Sequence, residues 1–491
     1  MTKKVSTYTK ATVWLIIALT IFRFWFCTKI ELVGDEAYYW LWSKHLDWSY
    51  FSKGPGVAWT MFAGTFLMGD NVFGVRWISV LLAGGTATFM FLLARMLFSE
   101  KTALWSIIVA ALMPIFMVGS ILMTIDPLSV FFWAWAAWLF WRKKDSPHPS
   151  SWIPIGLIIG AGVLCKYTNI AQLVCLALFC FWVPAYRKKW RHFGVMTLAT
   201  LFCFLPVLIW NAQNNWITFQ HLMHRGALDK SWVFSFSDLL EFVKMQFLVF
   251  NPFFVAALLI GFLFAKPHHW RSANFRYLLC LFFPLVIFYL ALSLNKTGQA
   301  NWTAPAWFAG AILVSAFWFE FEHLKNIFSN IALWCARVVI VISVVFFIGA
   351  HTVVFLFLPD IFSSLKTDPL RRLRGSKDIA LQVFRLQEKH GTSFLIASNY
   401  AYASLLAFYH PDQPQTYVPS HEGIQNQFSF WPDYRDGFQD ESALFLTDSN
   451  EIPDSLKKEF ETVELIKGTF SSYQGKPLRK FYIFVCSNLK N

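Results

Sequence analysis

Long runs of apolar residues, separated by short polar stretches, dominate the chain up to residue 358. A transmembrane helix needs about 20 mostly apolar residues. On this criterion the sequence predicts eleven spans, near residues 11–30, 72–97, 103–120, 127–141, 152–165, 169–185, 194–210, 247–265, 277–294, 302–319 and 329–358. The first run is not followed by an Ala-x-Ala-like cleavage site, which predicts a retained anchor. We therefore predict an α-helical, polytopic membrane protein.

The residues after Pro359 are more polar, and their pattern changes. The spacing of apolar residues there predicts helices over 377–389 and 400–409 and strands over 393–397, 443–447 and 480–485. The chain is thus expected to consist of a membrane domain over residues 1–359 and a small C-terminal α/β domain over residues 360–491. Two long loops, 31–71 and 211–246, interrupt the membrane domain.

The composition excludes an ordinary soluble protein. Hydrophobic residues make up 56% of the 491 residues and charged residues only 14%, whereas soluble domains are about 25% charged. The eight cysteines, apart from Cys486, lie in or beside apolar runs and show no Cys-x-x-Cys or Cys/His spacing. We interpret them as small buried apolar residues rather than metal ligands or a disulfide framework.

Basic residues mark one side of the predicted membrane domain. If the N-terminus is cytoplasmic, the inward connections carry nearly all clustered Lys and Arg residues, namely Arg95 and Lys101, Arg142–Lys144, Arg187–Lys189 with Arg191, and Lys266 with Arg271 and Arg276. This bias follows the positive-inside rule. It predicts a bacterial inner-membrane protein whose long loops and C-terminal domain face the periplasm. The net charge of +13 is then a topology signal, and it gives no reason to invoke nucleic acid.

Two adjacent carboxylates, Asp35 and Glu36, follow the first apolar run in the aromatic segment Gly34–Trp42. A carboxylate just outside a span can be hydrated and reactive, whereas inside the span it would normally need a partner. Such a group can take a proton from an attacking hydroxyl or hold a metal ion. The alternative is a helix N-cap, in which Asp35 accepts backbone N–H bonds.

Further candidate residues lie on the predicted outer face. Lys53 precedes the turn Gly54–Gly56, where an ammonium can bind a lipid phosphate or simply snorkel to the interface. Asp126, before Pro127, is either a site residue or a helix N-cap. Lys166 lies at the next outward turn, and an ion pair between Asp126 and Lys166 would satisfy both without any substrate.

The loop 211–246 contains His221, His224 and Arg225, which could contact a metal ion or a phosphate. Two histidines three residues apart can share a helix face, but two ligands without a third indicate a metal site only weakly. A solvated interfacial helix is the simpler interpretation.

Taken in order, these residues resemble the motifs of bacterial C-type (GT-C) membrane glycosyltransferases, which use polyprenyl-phosphate sugars. The matching segments are Asp35–Trp40, Tyr50–Phe51 with Lys53–Pro55, Asp126–Pro127, Lys166–Thr168 and Asn301–Trp307. This superfamily includes protein O-mannosyltransferases and the aminoarabinose and galacturonic acid transferases of lipid A and core.

The resemblance implies a GT-C fold, a polyprenyl-phosphate sugar donor and inversion at the anomeric carbon. The implied acceptor is lipid A or another envelope glycolipid, with a protein hydroxyl as the alternative. Asp35 is then expected to be catalytic, with Glu36 beside it, and Lys53 and Lys166 to contact the donor phosphate. Substrate contacts are also expected from Asp126, Arg225, Asn301, Tyr38, Tyr39 and Trp40.

One departure from the family pattern concerns a metal ion. Many relatives have Asp-His-Pro-Pro or Glu-Lys-Pro-Pro after the Tyr-Phe pair, where this chain has Ser52-Lys53-Gly54-Pro55. The lysine is kept and the acidic residue is missing. No cofactor is therefore required by the sequence, and a divalent metal ion stays an open alternative.

The competing functional class is a flippase for lipid-linked sugars or a secondary transporter. Transporters tend to have paired repeats and broken midplane helices with intramembrane charges. Here the ionisable residues cluster at the outer ends of the spans, no repeat is visible, and a polar domain follows the membrane domain. These features favour the enzyme.

Overall fold

The computed structural model describes residues 6–229, 231–320, 373–419, 423–473 and 475–490, together with residues 338, 341, 342 and 345. The helices before residue 321 are α1 (Thr7–Phe26), α2 (Gly34–Lys44), α3 (Gly56–Met68), α4 (Val72–Leu97), α5 (Glu100–Ala111), α6 (Pro114–Gly119), α7 (Ile125–Lys143), α8 (Ile153–Cys165), α9 (Ala171–Trp182), α10 (Trp190–Gln213), α11 (Ile217–Arg225), α12 (Phe236–Val249), α13 (Pro252–Phe264), α14 (Pro267–Arg271), α15 (Ala273–Leu292) and α16 (Ala304–Glu320).

After residue 375 the described helices are α17 (Ser376–His390), α18 (Tyr400–Tyr409) and α19 (Asp454–Glu459). The strands are β1 (Phe394–Ala397), β2 (Thr416–Tyr417), β3 (Ala443–Thr447), β4 (Phe460–Tyr473) and β5 (Lys476–Leu489). The prediction of a mostly helical chain with a small C-terminal α/β region is confirmed.

The chain is a multi-pass membrane protein. Within the described residues, five helices are long and apolar enough to cross a membrane, or up to six if the bent pair α12–α13 forms one span. Each predicted span before residue 320 contains helix, but several of these helices are shorter than a bilayer requires. The predicted span 329–358 lies outside the described residues, so the number of eleven stays a prediction.

Proline explains where two predicted spans are broken. The span predicted at 103–120 divides at Pro114, which begins α6. The span predicted at 247–265 bends by 105° between α12 and α13, where Asn251 has a φ of 69° and Pro252 begins the second helix. Proline lacks an N–H and clashes with the preceding turn, so it fits the start of a helix and not its middle.

The chain divides into two compact units. The first unit consists of Met1–Phe24, Asp47–Val57 and Trp77–Phe347, and the second of Trp25–Leu46, Ala58–Arg76 and Ile348–Asn491. Part of the first predicted outer loop therefore belongs with the C-terminal region. The predicted boundary at residue 359 lies outside the described residues and stays a prediction.

The core of the first unit surrounds α16. In the most apolar stretch of the span that includes this helix, 83% of the residues are buried. The corresponding buried share in α1, at the edge of the unit, is 17%. Helices α8 and α10 approach closely because α8 presents glycines: a Cβ on Gly156 would lie 2.1 Å from the carbonyl oxygen of Met196, and one on Gly160 would lie 2.5 Å from Cys203. Small residues at such spacing are typical of packed membrane helices.

The basic connections of the first unit lie together. The Lys189 ammonium donates to the carbonyl of Ser146 at 2.5 Å, which joins the turn after α7 to the turn before α10. Arg276 donates to the carbonyl of Trp182 at 3.3 Å, which brings the start of α15 to the end of α9. The basic turns that the sequence assigns to one side thus contact one another.

The second unit contains a mixed five-stranded sheet in the order β2-β1-β3-β5-β4. Strand β1 pairs in parallel with β2 and β3, whereas β5 pairs antiparallel with β3 and β4. Its core contains Phe394, Phe445 and Phe484. The predicted helices and strands of this region are confirmed, and β2 and β4 were not predicted.

Helix α2 is held against α18 within the second unit. A Cβ on Gly34 would lie 2.5 Å from the Cβ of Ala401, so only glycine allows this approach. The Leu32 N–H donates to the hydroxyl of Tyr409 at 2.7 Å. The Glu31 carboxylate accepts from the N–H groups of Ser376 at 2.6 Å and Lys377 at 3.1 Å, the favourable placement of an anion at a helix N-terminus.

The cysteines behave as predicted in the described part of the chain. Seven are free, and all of these except Cys203 are buried. In the C-terminal sheet, burial raises the pKa of the Cys486 thiol to about 12. Cys335 lies outside the described residues.

Candidate active site

Asp35 lies in the first turn of α2, with its side chain exposed. The hydroxyl of Tyr400, at the start of α18, donates to its Oδ1 at 3.3 Å. Asp35 is thus an accessible carboxylate in the first turn of a helix. Such a group can accept a proton from a bound hydroxyl.

Glu36 is placed quite differently from its neighbour. Its carboxylate is fully buried and receives Nε of Arg76 at 2.8 Å and Nη2 at 2.5 Å. The same guanidinium donates to the carbonyls of Cys27, Ile30 and Glu31, each at 2.8 Å. This bidentate pair ties α2 to the start of α4 and fixes the chain between α1 and α2.

The aromatic residues of α2 are also buried. The Tyr38 hydroxyl accepts from the N–H of Gln427 at 2.6 Å, and its ring lies 4.5 Å from that of Tyr400. The Trp40 indole donates to Asp70 at 2.7 Å. Tyr39 lies edge-on to the ring of Trp42 at 5.0 Å. These contacts stabilise the second unit, and direct contact of Tyr38, Tyr39 or Trp40 with a substrate stays a prediction.

Three of the predicted site residues meet in the first unit. The Lys166 ammonium lies 2.6 Å from Oδ1 of Asp126, and the Asn301 amide donates to Oδ2 at 2.6 Å. The side chains of Lys166 and Asp126 are 8% and 17% exposed, respectively. The ion pair considered from the sequence is therefore present, and together with Asn301 it gives each oxygen of the Asp126 carboxylate a partner.

Local structure holds this ion pair at the start of α7. Thr124 caps the helix by accepting the N–H of Asp126 at 3.4 Å, and Pro127 occupies the first turn. The turn that carries Lys166 is anchored by Asn169, whose amide donates to the carbonyl of Ser129 at 3.0 Å. Buried amides of this kind are costly unless satisfied, so the two turns are fixed relative to each other.

The turn after Lys53 packs directly on the end of α8. A Cβ on Gly54 would lie 2.2 Å from the carbonyl oxygen of Leu164, and one on Gly56 would lie 2.5 Å from the sulfur of Cys165. Leu164 and Cys165 immediately precede Lys166 in the chain. The sequence Gly-Pro-Gly thus brings the backbone next to Lys53 against the backbone next to Lys166.

His221 and Arg225 on α11 complete the group. The ring of His221 lies 4.5 Å from that of Phe51. Burial, with help from the nearby cations Lys53 and Arg225, lowers the pKa of His221 to about 4. Arg225 donates to the side-chain oxygen of Gln299 at 2.6 Å, two residues before Asn301.

These contacts form a closed path through the first unit. It runs from Lys53 through α11 to the loop of Asn301, then through Asp126 to Lys166 and back to the turn at Gly54. We call Lys53, Lys166 and Arg225 the basic cluster. The cluster places three basic side chains on contacting segments of the first unit, and groups of this kind can bind a phosphate.

Known proteins share both sequence and fold with this chain. Residues 52–210 match the family model described as dolichyl-phosphate-mannose-protein mannosyltransferase. A lipid A galacturonosyltransferase of Rhizobium johnstonii is 25% identical over 303 residues, which cover 62% of this chain and 62% of that protein. An undecaprenyl phosphate-alpha-4-amino-4-deoxy-L-arabinose arabinosyl transferase of Pseudomonas aeruginosa is 27% identical over 37% of this chain and 34% of its own length. Each alignment thus spans less than two thirds of the curated relative.

The fold comparison covers nearly the whole chain. The crystal structure of ArnT from Cupriavidus metallidurans in the apo state matches 97% of this chain and 98% of its own, with a TM-score of 0.66 and 15% identity. The chain thus resembles C-type membrane glycosyltransferases in sequence over part of its length and shares the ArnT fold over nearly all of it. The resemblance and the GT-C fold predicted from the sequence are confirmed.

The GT-C motifs are thus distributed over both units. The basic cluster, Asp126 and Asn301 lie in the first unit, whereas Asp35 and Glu36 lie in the second. That Asp35 converges with the two lysines stays a prediction from the sequence.

The metal alternative gains no support from the residues that the structure describes. Among them, no three His, Cys, Asp or Glu side chains are grouped to hold a metal ion. His224 instead pairs with Asp229 at 2.8 Å. A divalent metal ion stays an open alternative.

Two residues that contact candidate site residues were missed by the sequence analysis. Arg76 lies inside a predicted span, where an arginine is costly and could have been recognised as a partner for a nearby carboxylate. Tyr400 lies 365 residues from Asp35. No local pattern connects such distant positions, and only the folded unit brings them together.

Proposed function

We propose that this chain is an inverting glycosyltransferase that moves a sugar from a polyprenyl-phosphate donor to an envelope glycolipid, with lipid A as the preferred acceptor. The observation that supports the proposal is the basic cluster, whose residues Lys53, Lys166 and Arg225 lie on segments of the first unit that contact one another. The names of the two curated relatives, a lipid A galacturonosyltransferase and a transferase with an undecaprenyl-phosphate sugar, support the choice of donor and acceptor.

The basic cluster would stabilise the leaving group. As the bond between the anomeric carbon and the phosphate oxygen breaks, the polyprenyl phosphate keeps the electron pair and gains negative charge. Preorganised cations aimed at developing charge lower the barrier of such a step. Lys53 and Lys166 serve this role in our proposal, and Asp126 and Asn301 fix the position of Lys166.

Asp35 would activate the acceptor. Its exposed carboxylate takes the proton of the acceptor hydroxyl while the oxygen bonds to the anomeric carbon from the face opposite the phosphate. Displacement from that face inverts the configuration. Tyr400 orients Asp35 through its hydrogen bond, and Glu36 positions α2 through Arg76 without touching the substrate.

We further propose that the reaction takes place on the periplasmic face of the bacterial inner membrane. The joined basic turns around Ser146 and Trp182 support a cytoplasmic position for that end of the first unit, since positive loops remain on the cytoplasmic side. Lys53, Lys166 and Arg225 lie on the connections that this orientation places on the opposite side of the membrane. In our proposal the basic cluster therefore faces the periplasm.

The acceptor class can be tested by mass spectrometry of a deletion strain. Lipid A, other envelope glycolipids and glycoproteins would be compared with the parent and the complemented strain. We expect one sugar to be missing from lipid A or a related glycolipid and to return on complementation. Loss of the sugar from a protein alone would make the chain a protein O-glycosyltransferase, and an unchanged set of envelope glycans would refute the proposal.

A further inference from the structure

A buried polar network joins three segments of the first unit where α10 gives way to α11. Its centre is the pair Ser49 and Asn211, and both side chains are fully buried. The Asn211 amide donates to the Ser49 hydroxyl at 3.4 Å, and this hydroxyl lies 3.1 Å from the hydroxyl of Tyr167. The side-chain oxygen of Asn211 accepts the N–H of Thr218 at 3.3 Å. Buried polar groups are costly unless they are paired, so these contacts fix the segments relative to one another.

Two of the joined segments carry residues of the basic cluster. Tyr167 directly follows Lys166 in the chain. Thr218 lies in the first turn of α11, the helix whose last residue is Arg225. Through its two contacts, the pair of Ser49 and Asn211 therefore links the turn of one cation to the helix of another.

The third segment leads to Lys53. The Thr218 hydroxyl donates to the carbonyl of Tyr50 at 3.0 Å, and the N–H of Tyr50 donates to the carbonyl of Lys53 at 3.1 Å. Tyr50 directly follows Ser49. All three segments of the basic cluster thus meet at the same buried network.

The backbone between α10 and α11 is strained. Asn215 has a φ of 54° and Trp216 a φ of 57°, and this left-handed region costs free energy for residues other than glycine. The N–H of Trp216 donates to the carbonyl of Asn211 at 2.7 Å. Strained backbone persists where the surrounding contacts over-determine it, so the junction is held in one conformation by contacts that include Asn211.

We propose that Ser49 and Asn211 are positioning residues, which set the relative placement of Lys53, Lys166 and Arg225 without contacting the substrate. This inference rests on the proposed function, in which the basic cluster binds the donor phosphate. A serine hydroxyl can donate one hydrogen bond and accept others, so it can bridge an amide and a tyrosine. An alanine would leave both partners without that bond.

Steady-state kinetics of two conservative variants test the proposal. Ser49→Ala and Tyr167→Phe each remove one hydroxyl of the bridge. In either variant the KM for the polyprenyl-phosphate sugar should rise about tenfold, the size expected for one lost buried hydrogen bond. The KM for the acceptor should not change, because the cluster contacts the donor. A lower Tm with an unchanged KM for the donor would mean that the network only supports the fold, and would overturn the proposal.

A matched control removes a buried serine hydroxyl elsewhere in the first unit. Ser315 is also buried, and its hydroxyl donates to the carbonyl of Ala311 in the same helix at 3.0 Å. Ser315→Ala should leave the KM for the donor unchanged. An equal rise in this variant would show that the effect is not specific to the network and would contradict the proposal.

The double variant tests the bridge itself. Ser49→Ala combined with Tyr167→Phe should raise the KM for the donor no further than either single change, because both changes break the same contact. If the two single effects multiply instead, the hydroxyls act separately and the bridge is refuted.

A binding measurement separates this inference from the proposed function. Undecaprenyl phosphate should raise the Tm of the unmodified chain in a neutral detergent, and the Kd derived from that shift should be larger in Ser49→Ala but unchanged in Ser315→Ala. If the chain binds this lipid in that way yet transfers no sugar, the proposed function fails and the positioning role of Ser49 stands. Equal affinity of Ser49→Ala and the unmodified chain, or no binding by either, would overturn the inference.

Discussion

The adjacent acidic residues Asp35 and Glu36 lie in different environments in this chain. Asp35 is exposed and carries one hydrogen bond from a tyrosine, whereas Glu36 is buried against Arg76. One helical step, about 100° around the axis, separates a solvent-facing position from a core-facing one. Asp35 is therefore the candidate for chemistry, whereas Glu36 has a structural role.

Glu36→Gln should destabilise the second unit. It leaves the guanidinium of Arg76 buried without a counter-charge, and breaking a buried pair in this way costs about 3–5 kcal/mol. We expect a lower Tm in detergent and reduced amounts of protein in the membrane. A Glu36→Gln variant with normal Tm but no activity would instead support a catalytic Glu36.

A double-variant cycle can separate stability from chemistry at Asp126 and Lys166. Each single variant, Asp126→Asn or Lys166→Met, should lower Tm and transfer, because each leaves a partner buried and unpaired. The double variant should recover stability but not transfer, since the phosphate contact of Lys166 is gone. Recovery of transfer along with stability would show that the pair is structural only.

The lowered pKa of His221 predicts a pH effect on stability. The unfolded chain takes up a proton near its ordinary pKa of 6.5, whereas the folded chain resists it until about 4. Above pH 6.5 the free energy of unfolding therefore does not depend on this residue. It decreases as the pH falls from 6.5 to about 4. His221→Asn should flatten the fall in Tm over this range. An equally steep fall in the variant would contradict the assignment.

At the scale of the element, the position of Lys53 depends on the turn that follows it. Gly54→Ala would place a Cβ 2.2 Å from the carbonyl oxygen of Leu164, and backbone must move to relieve the clash. We expect loss of most transfer activity although Lys53 is still present, measured as initial rate at equal protein. Gly194→Ala, where a Cβ meets nothing within 4 Å, should be silent. Full activity of Gly54→Ala would mean that transfer does not depend on how this turn positions Lys53.

Sequence periodicity predicted helices with one buried face and fully buried strands well. The helix predicted at 377–389 forms as Ser376–His390, and the strand predicted at 443–447 is Ala443–Thr447. Strand β4 was missed because its apolar residues do not alternate regularly with polar ones, and half of its residues are exposed. The bend at Asn251 was missed because apolar residues continue on both sides of it.

The candidate site was predictable only in part, for a physical reason. Asp126, Lys166 and Lys53 stood out because charges are expensive beside a membrane span. Asn169, which anchors the turn of Lys166, and Gln299, which accepts from Arg225, are neutral amides whose importance depends on the fold. Arg76 and Tyr400 act over large sequence separations, so their roles become visible only once the second unit is assembled.

At the scale of the whole molecule, the two functional classes to be separated are a glycosyltransferase and a flippase. A transferase of this kind must move a sugar between two lipids, whereas a flippase moves the intact lipid-linked sugar across the membrane. The two classes differ in covalent chemistry. The fate of the sugar therefore decides between them.

The most direct test is transfer by the purified chain in proteoliposomes that contain a radiolabelled polyprenyl-phosphate sugar and lipid A. The account predicts that label moves onto lipid A and that Asp35→Asn, although normally inserted and folded, abolishes this transfer. Label that stays on the donor and only changes leaflet, or full transfer by Asp35→Asn, would contradict it.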